Sequence, residues 1–139
     1  EVVREKKKSV NLCDAKVIVA GGRGVGSEQG LECLFSLAEI LGGEVAGTRM
    51  VIEEGWLPVE RQVGQTGQTV RPELYIACGI SGAIQHRAGM LNSRYIIAIN
   101  TDQRAPIFEV ADWGIVSDLH EVVPTLSEAM RDRKTKQVS

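Results

Sequence analysis

Aromatic residues are scarce in this chain: two phenylalanines, two tyrosines and two tryptophans stand among its 139 residues. With so few large rings, a core has to be filled by aliphatic side chains, and hydrophobic residues make up 43% of the sequence. A chain of this length can close one hydrophobic core but hardly two. We therefore expect a single domain with an aliphatic core.

Cysteines are few and widely spaced. Cys13, Cys33 and Cys78 are odd in number and contain no C-x-x-C pair, which argues against a disulfide framework and against a zinc site. We expect small buried or half-buried thiols in a reducing compartment, and no metal site.

Long apolar runs and clusters of one charge are also missing. No stretch approaches the roughly 18 apolar residues of a membrane span, and no signal-peptide pattern opens the chain. The 16 basic and 18 acidic residues give a net charge of −2, and the basic ones are scattered except at the two ends. We expect no nucleic-acid partner, no membrane span, and a cytoplasmic location, or the mitochondrial matrix in a eukaryote.

The two ends of the chain are polar. Residues 1–13 include the lysine run Lys6 to Lys8 and are expected to be a charged lead-in or linker from a longer polypeptide. Residues 132–139 are expected to be a polar tail. The folded domain is predicted over residues 14–131.

Between these ends, short apolar runs alternate with helical patterns. The runs are apolar without interruption, which is typical of strands buried on both faces of a sheet. Such alternation predicts an α/β fold with a mostly parallel sheet and helices on both faces. The predicted strands cover residues 15–22, 44–49, 74–79, 95–100 and 113–118.

Three helices are expected between and after these strands. The first follows Ser27 as N-cap and ends at Gly42, the second covers residues 81–91, and the third starts near Val123 because Pro124 is tolerated only in a first helical turn. The inward stripe of the first helix is predicted as Leu31, Leu34, Phe35, Ala38 and Leu41, and that of the third as Val123, Leu126 and Met130.

Polar or glycine-rich residues follow every predicted strand. In strand order they read "GGRGVGS", "TR", "GISGAIQH", "NTD" and "SDL". Parallel sheets bind ligands outside the carboxyl ends of their strands. The residues 50–73 after the second strand form a long irregular connection, which in a compact domain indicates a binding element.

Arginines mark the first two of these edges. The glycines around Arg23 would let backbone amides approach a pyrophosphate. The match to a G-x-G-x-x-G fingerprint is imperfect, because Ser27 stands where the fingerprint needs glycine. A purely structural turn is therefore the alternative. Arg49 occupies the place where an NAD dehydrogenase usually carries an acid. It could meet a phosphate or an electron-rich ring, or simply lie over the sheet edge.

The segment "QVGQTGQTV" (62–70) carries no charge, and its amides and hydroxyls can match the mixed donors and acceptors of a heterocycle. A disordered polar loop is the alternative. His86 could serve as a general base, but no nucleophile or acid stands in a recognisable motif with it, so a hydrogen-bonded structural histidine is favoured and no catalytic residue is predicted. His120 is expected at the surface.

Together these stretches resemble the C-terminal, FAD-binding domain of the electron transfer flavoprotein alpha subunit family. The resemblance covers about Asp14 to Met130, and its most specific pair is "VGQTG" with "PELYIACGISGAIQH". It implies a Rossmann-like fold that binds FAD, accepts electrons from dehydrogenases and passes them to another redox partner. Such a domain is an electron carrier rather than a stand-alone enzyme and works in a heterodimer with a beta subunit; membership of an electron-bifurcating complex stays open. The alternative is an NAD(P)-binding enzyme domain on a related parallel sheet.

The resemblance also implies a cofactor contact at each matching position. Arg23 would reach the flavin nucleotide, Thr48 would offer a hydroxyl where the family often has serine, and Arg49 would lie over the isoalloxazine ring. His86 would face the C2 carbonyl side of the ring. Because negative charge develops around N1 and the C2 oxygen of a reduced flavin, Arg49 and His86 would raise its potential.

The remaining implied contacts fall on three segments. One runs along the flavin, with the Thr66 hydroxyl near N5; the second serves the diphosphate through Ser81 and helix N-terminal amides; the third serves the adenosine. In that order they are Val63, Gly64, Gln65 and Thr66; then Ser81, Gly82, Ala83, Ile84 and Gln85; then Asn100, Asp118 and Leu119.

Overall fold

The computed structural model describes residues 11–138, with side chains through residue 133. Within this range five strands form one sheet, in the order β2-β1-β3-β4-β5, and all neighbours are parallel. The predicted α/β fold with a parallel sheet is confirmed. The strands are β1 (Val17–Gly21), β2 (Glu44–Gly47), β3 (Leu74–Cys78), β4 (Tyr95–Asn100) and β5 (Trp113–Val116).

Helices cover both faces of this sheet. They are α1 (Glu32–Leu41), α2 (Arg49–Glu53), α3 (Ile84–Met90) and α4 (Leu119–Val138). One apolar cluster joins α1 and α4 to the sheet side of Val19 and Ile76. On the other face of the sheet, a second apolar cluster packs α3 and the segment after α2 against Ile18 and Tyr75.

The two ends of the described range differ in burial. Leu12, inside the predicted lead-in, is completely buried in the core, whereas residues 1–10 lie outside the described residues. Helix α4 continues through the predicted polar tail as far as Val138. The predicted domain limits stay predictions.

The starts of α3 and α4 and the end of the second strand were predicted wrongly: α3 begins at Ile84 and not at residue 81. Helix α4 begins at Leu119, four residues before Val123, because the Asp118 carboxylate accepts a hydrogen bond from the His120 amide at 2.9 Å and caps the first turn. Pro124 consequently lies inside the helix. Arg49, predicted as the end of the second strand, is the first residue of α2, and β2 already ends at Gly47.

The buried face of α1 also differs from the predicted stripe. Phe35 is 43% exposed, whereas Leu37 is completely buried. At about 100° per residue, Leu37 lies closer than Phe35 to the line through Leu34, Ala38 and Leu41. Ser27 caps the entry as expected, because its hydroxyl accepts the Gly30 amide at 3.2 Å in the turn before α1.

The cysteines follow the prediction only in part. Cys78 is buried and Cys33 is half-buried, but Cys13 is exposed, since Leu12 takes the inward position of their shared turn. Among the described residues, no helix is long and apolar enough to cross a membrane.

Truncating Leu37 to alanine should lower the free energy of unfolding by about 2–5 kcal/mol, the usual cost of removing a fully buried leucine. Phe35→Ala is the matched control and should cost less than Leu37→Ala despite its larger side chain, because Phe35 is partly solvated. Urea unfolding of both variants measures the difference. A larger loss for Phe35→Ala would contradict this placement of α1.

Candidate functional site

A cleft of about 550 Å³ opens at the carboxyl edge of the sheet, between the loops that follow β1, β2 and β3. The strand order reverses at this point, because β2 lies on one side of β1 and β3 lies on the other. Open α/β sheets bind ligands at such a reversal. The volume falls within the range of about 300–1,000 Å³ that is usual for small-molecule sites.

The floor of the cleft is backbone from two glycine loops. The Gly24 amide donates to the Gly79 carbonyl at 2.9 Å, and a Cβ on Gly24 would lie only 2.7 Å from the Gly79 Cα. Gly79 has a φ of +67°, which also favours glycine. The loops after β1 and β3 therefore touch through backbone, and no side chain separates them.

The turn after β3 is fixed by hydrogen bonds from Asn100, at the end of β4, and from Ile107, in the connection between β4 and β5. The Asn100 side-chain nitrogen donates to the Ile80 carbonyl at 3.0 Å, and the Ile107 backbone amide donates to the Ser81 carbonyl at 2.8 Å. Asn100 lines the cleft, but its side-chain nitrogen shapes this turn. Ser81 to Ala83 consequently present a fixed backbone to the cleft, directly before α3.

The charges around the cleft are positive. Arg23 and Arg49 line it, and none of the described residues that line it is acidic. The Arg49 Nε pairs with the Glu53 carboxylate at 2.8 Å one turn along α2, and both side chains are more than half exposed. Since surface pairs of this kind are weak, Glu53 does not prevent the Arg49 guanidinium at the rim from meeting a ligand. The cleft therefore favours an anionic ligand.

The segment Val63 to Thr66 forms an ordered wall of the cleft. The Val63 amide donates to the Gly47 carbonyl at 3.0 Å, and the Gln65 amide donates to the Gln85 carbonyl at 2.7 Å. Buried Gln62 donates from its side-chain nitrogen to the Thr66 hydroxyl oxygen at 2.8 Å. That contact occupies the Thr66 oxygen as an acceptor and leaves its O–H to donate elsewhere. The alternative of a disordered loop is wrong.

His86 closes the back of the cleft as a neutral side chain. Its Nδ1 lies 3.1 Å from the Val63 carbonyl and its Nε2 lies 2.8 Å from the Tyr75 hydroxyl. A carbonyl can only accept, so Nδ1 carries the proton, and Nε2 accepts from Tyr75. Burial lowers the pKa of His86 to about 4. Both ring nitrogens of His86 are engaged in this arrangement, so the side chain has no free N–H for the C2 carbonyl side of a flavin ring.

Most of the predicted site residues come together in this cleft. Thirteen line it: Arg23, Thr48, Arg49, Val63, Gly64, Gln65, Thr66, Ser81, Gly82, Ala83, Gln85, His86 and Asn100. Three do not. The Ile84 side chain is 72% exposed, Asp118 caps α4, and Leu119 is buried in the core.

Six lining residues were not predicted: Gly22, Gly24, Met50, Gln62, Gly79 and Ile80. The glycines, Gln62 and Ile80 lie inside the motifs that the sequence singles out, so a wider reading of those motifs would have found them. Met50 carries no signal, because an apolar residue at a cleft cannot be told from a core residue by sequence pattern. His120 lies outside the cleft and is exposed, but its Nε2 is 2.8 Å from the Val25 carbonyl.

The buried His86 predicts a pH dependence of stability. Its folded pKa of about 4 lies below the ordinary 6.5, so the unfolded chain takes up a proton first. The contribution is complete above pH 6.5 and falls by about 2–3 kcal/mol as the pH falls towards 4. Urea unfolding at pH 7.5 and 4.5 should show this extra loss in the native chain but not in His86→Gln. Equal losses in both would mean that His86 titrates as a solvated histidine.

Solved structures share the fold of this chain, and one of them illustrates the likeness. It is described as a thiamin diphosphate-dependent enzyme from Mycobacterium smegmatis, with a TM-score of 0.51 over 92% of this chain and 27% of its own. Only 14% of aligned residues are identical, so this likeness concerns the fold alone.

Relatives with curated names are much more similar. "Protein FixB" of Clostridium saccharobutylicum is 59% identical over 91% of this chain and 38% of its own length. "Electron transfer flavoprotein subunit alpha" of Thermoanaerobacterium thermosaccharolyticum is 53% identical over 96% of this chain and 40% of its own. The chain thus spans about two fifths of these relatives. Residues 11–91, more than half of the chain, match the family model of the electron transfer flavoprotein FAD-binding domain, and the chain belongs to that family.

Proposed function

We propose that this chain is the FAD-binding part of an electron transfer flavoprotein alpha subunit, and that it holds a flavin which receives electrons from dehydrogenases and delivers them to an acceptor. The observation that carries the proposal is the cleft at the β1/β3 reversal, which is lined by two arginines and no acid among the described residues. The family match gives the cofactor class.

The chemistry of the cleft fits the two halves of FAD. The diphosphate is an anion, and Arg23 with the backbone of the glycine loops supplies positive charge and close approach on one side. The ring system is an uncharged heterocycle with mixed donors and acceptors, and Gln65 and Thr66 supply uncharged polar groups on the other side. When bound, FAD supplies the redox chemistry.

Three residues would act on the flavin ring in different ways. Arg49 places a cation at the rim, and the Thr66 hydroxyl has its proton free for an acceptor because Gln62 already donates to its oxygen. His86 adds a neutral, buried wall. Among these three residues, only Arg49 would change the potential through its charge.

The alternative, an NAD(P)-binding enzyme domain, is not favoured. NAD enzymes usually place an acid after the second strand to bind the ribose hydroxyls. In this chain Thr48 and Arg49 stand there, and both line the cleft. An arginine could accept the 2′-phosphate of NADP, so NADP⁺ is the competitor that a binding experiment has to include.

The partners follow from the same proposal. The relative named a subunit alpha implies a second subunit, and we propose a beta subunit as the partner of this chain. Donor dehydrogenases and a redox acceptor complete the set, in a cytoplasmic or matrix location that suits three free thiols. A simple carrier and a bifurcating complex both remain compatible with the cleft.

Binding of FAD tests the proposal directly. The chain, alone and with its beta subunit, is freed of flavin and titrated with FAD, and we expect recovery of protein-bound visible absorbance. NADP⁺ shares the diphosphate but lacks the isoalloxazine ring, so it should not displace FAD at equal concentration. No uptake of FAD by the pair, or displacement of FAD by NADP⁺ at equal concentration, would contradict the assignment.

Removing the rim cation should lower the flavin potential. Arg49→Ala is expected to shift the two-electron midpoint potential down by on the order of 30 mV, which is a tenfold change in the reduction equilibrium. Arg49→Lys keeps the charge and should shift less, and Glu53→Gln should shift the potential upward. Arg71→Ala is the matched control and should leave the potential unchanged, because Arg71 is exposed at the opposite edge of the sheet. An unchanged potential in Arg49→Ala would remove Arg49 from the ring.

A further inference from the structure

Tyr75 is a buried polar residue that the proposed function does not use. It lies in the middle of β3 with no exposed surface, and it is absent from the residues that line the cleft. Its hydroxyl nevertheless reaches the His86 Nε2 at 2.8 Å. One side chain of the core is thus hydrogen-bonded to one side chain of the cleft wall.

The direction of the hydrogen bonds follows from the Val63 carbonyl. Since this carbonyl only accepts, His86 donates to it through Nδ1, and Nε2 then has to accept from the Tyr75 hydroxyl. Burial raises the pKa of Tyr75 and lowers that of His86. Both groups are therefore neutral, and each is the hydrogen-bond partner that the other needs inside the core.

The end of this chain of contacts is the peptide that opens the segment Val63 to Thr66. The backbone of this segment is already in contact with α3, where the Gly64 and Gly89 backbones approach so closely that a Cβ on Gly89 would lie 2.6 Å from the Gly64 Cα. The Gln65 amide donates to the Gln85 carbonyl at 2.7 Å. The contact of His86 with Val63 therefore helps to set how far the segment projects into the cleft.

We propose that Tyr75 is a positioning residue of the ligand site: its hydroxyl, by donating to Nε2, fixes the ring orientation in which His86 Nδ1 donates to the Val63 carbonyl, and thereby fixes the wall from Val63 to Thr66 that the ligand meets. The identity of that ligand as FAD rests on the proposed function. The hydrogen bonds themselves do not, so they can be tested without flavin.

The first test uses nitrogen NMR of the histidine rings in the flavin-free chain. The native protein should show His86 with a protonated Nδ1 and an unprotonated Nε2. Tyr75→Phe keeps the ring and removes only the hydroxyl, so the Nε2 signal of His86 should shift because this nitrogen loses its hydrogen-bond donor, and the Gln65 amide should exchange faster with solvent. Tyr95→Phe is the matched control, because Tyr95 is the other tyrosine and is 41% exposed. A native His86 protonated on Nε2, or unchanged signals in Tyr75→Phe, would overturn the proposal.

The second test measures FAD binding to the chain with its beta subunit. Tyr75→Phe should weaken FAD binding about threefold to tenfold, the factor expected for the loss of one hydrogen bond between neutral groups, and Tyr95→Phe should leave it unchanged. In a His86→Leu background, Tyr75→Phe should cause no further loss, because Tyr75 acts through His86. Unchanged affinity in Tyr75→Phe, or equal losses in both backgrounds, would overturn the positioning role. If even the native pair takes up no FAD, the proposed function fails, and the NMR result still decides the role of Tyr75.

Discussion

Strands β1 and β3 lie side by side at the centre of the sheet, and the loops that leave them touch through the backbones of Gly24 and Gly79. A side chain at either position would push the loops apart, so the contact depends on glycine. Because the strand order reverses between these two strands, the same contact forms the floor of the cleft. The other walls are arranged around it: Arg49 at the start of α2, the segment Val63 to Thr66, and the turn before α3.

The cleft combines positive charge at its rim with neutral polar groups deeper inside. Arg23 and Arg49 are exposed, where a cation is cheaply solvated, whereas His86 is buried and held neutral. The hydrogen bonds of Gln62 with Thr66 and of His86 with Tyr75 fix which protons these groups offer. A ligand with an anionic diphosphate and an uncharged ring system matches this distribution, because the protein supplies charge where the ligand is charged and hydrogen bonds where it is neutral.

Much of this cleft could be predicted from the sequence, because parallel strands bring their carboxyl ends to one edge. The residues after the first three predicted strands do meet there, and so does Asn100 after the fourth. Asp118 and Leu119, after the fifth, do not, because they begin α4 instead. The order of the strands could not be predicted, since periodicity describes each element but not its neighbours. The burial of Leu37, by contrast, could have been predicted, because its angular position around the helix lies closer than that of Phe35 to the line through Leu34, Ala38 and Leu41. The Tyr75 contact joins β3 to α3 through side chains, and no local pattern signals such a pair.

A crystal structure of the chain with its beta subunit and FAD tests the central claim most directly. It should show the diphosphate against the loops at Gly22–Gly24 and Gly79–Gly82, and the isoalloxazine ring against the wall from Val63 to Thr66 with Arg49 at its edge. A flavin bound outside this cleft, or bound in reverse with its adenine against that wall, would contradict the account.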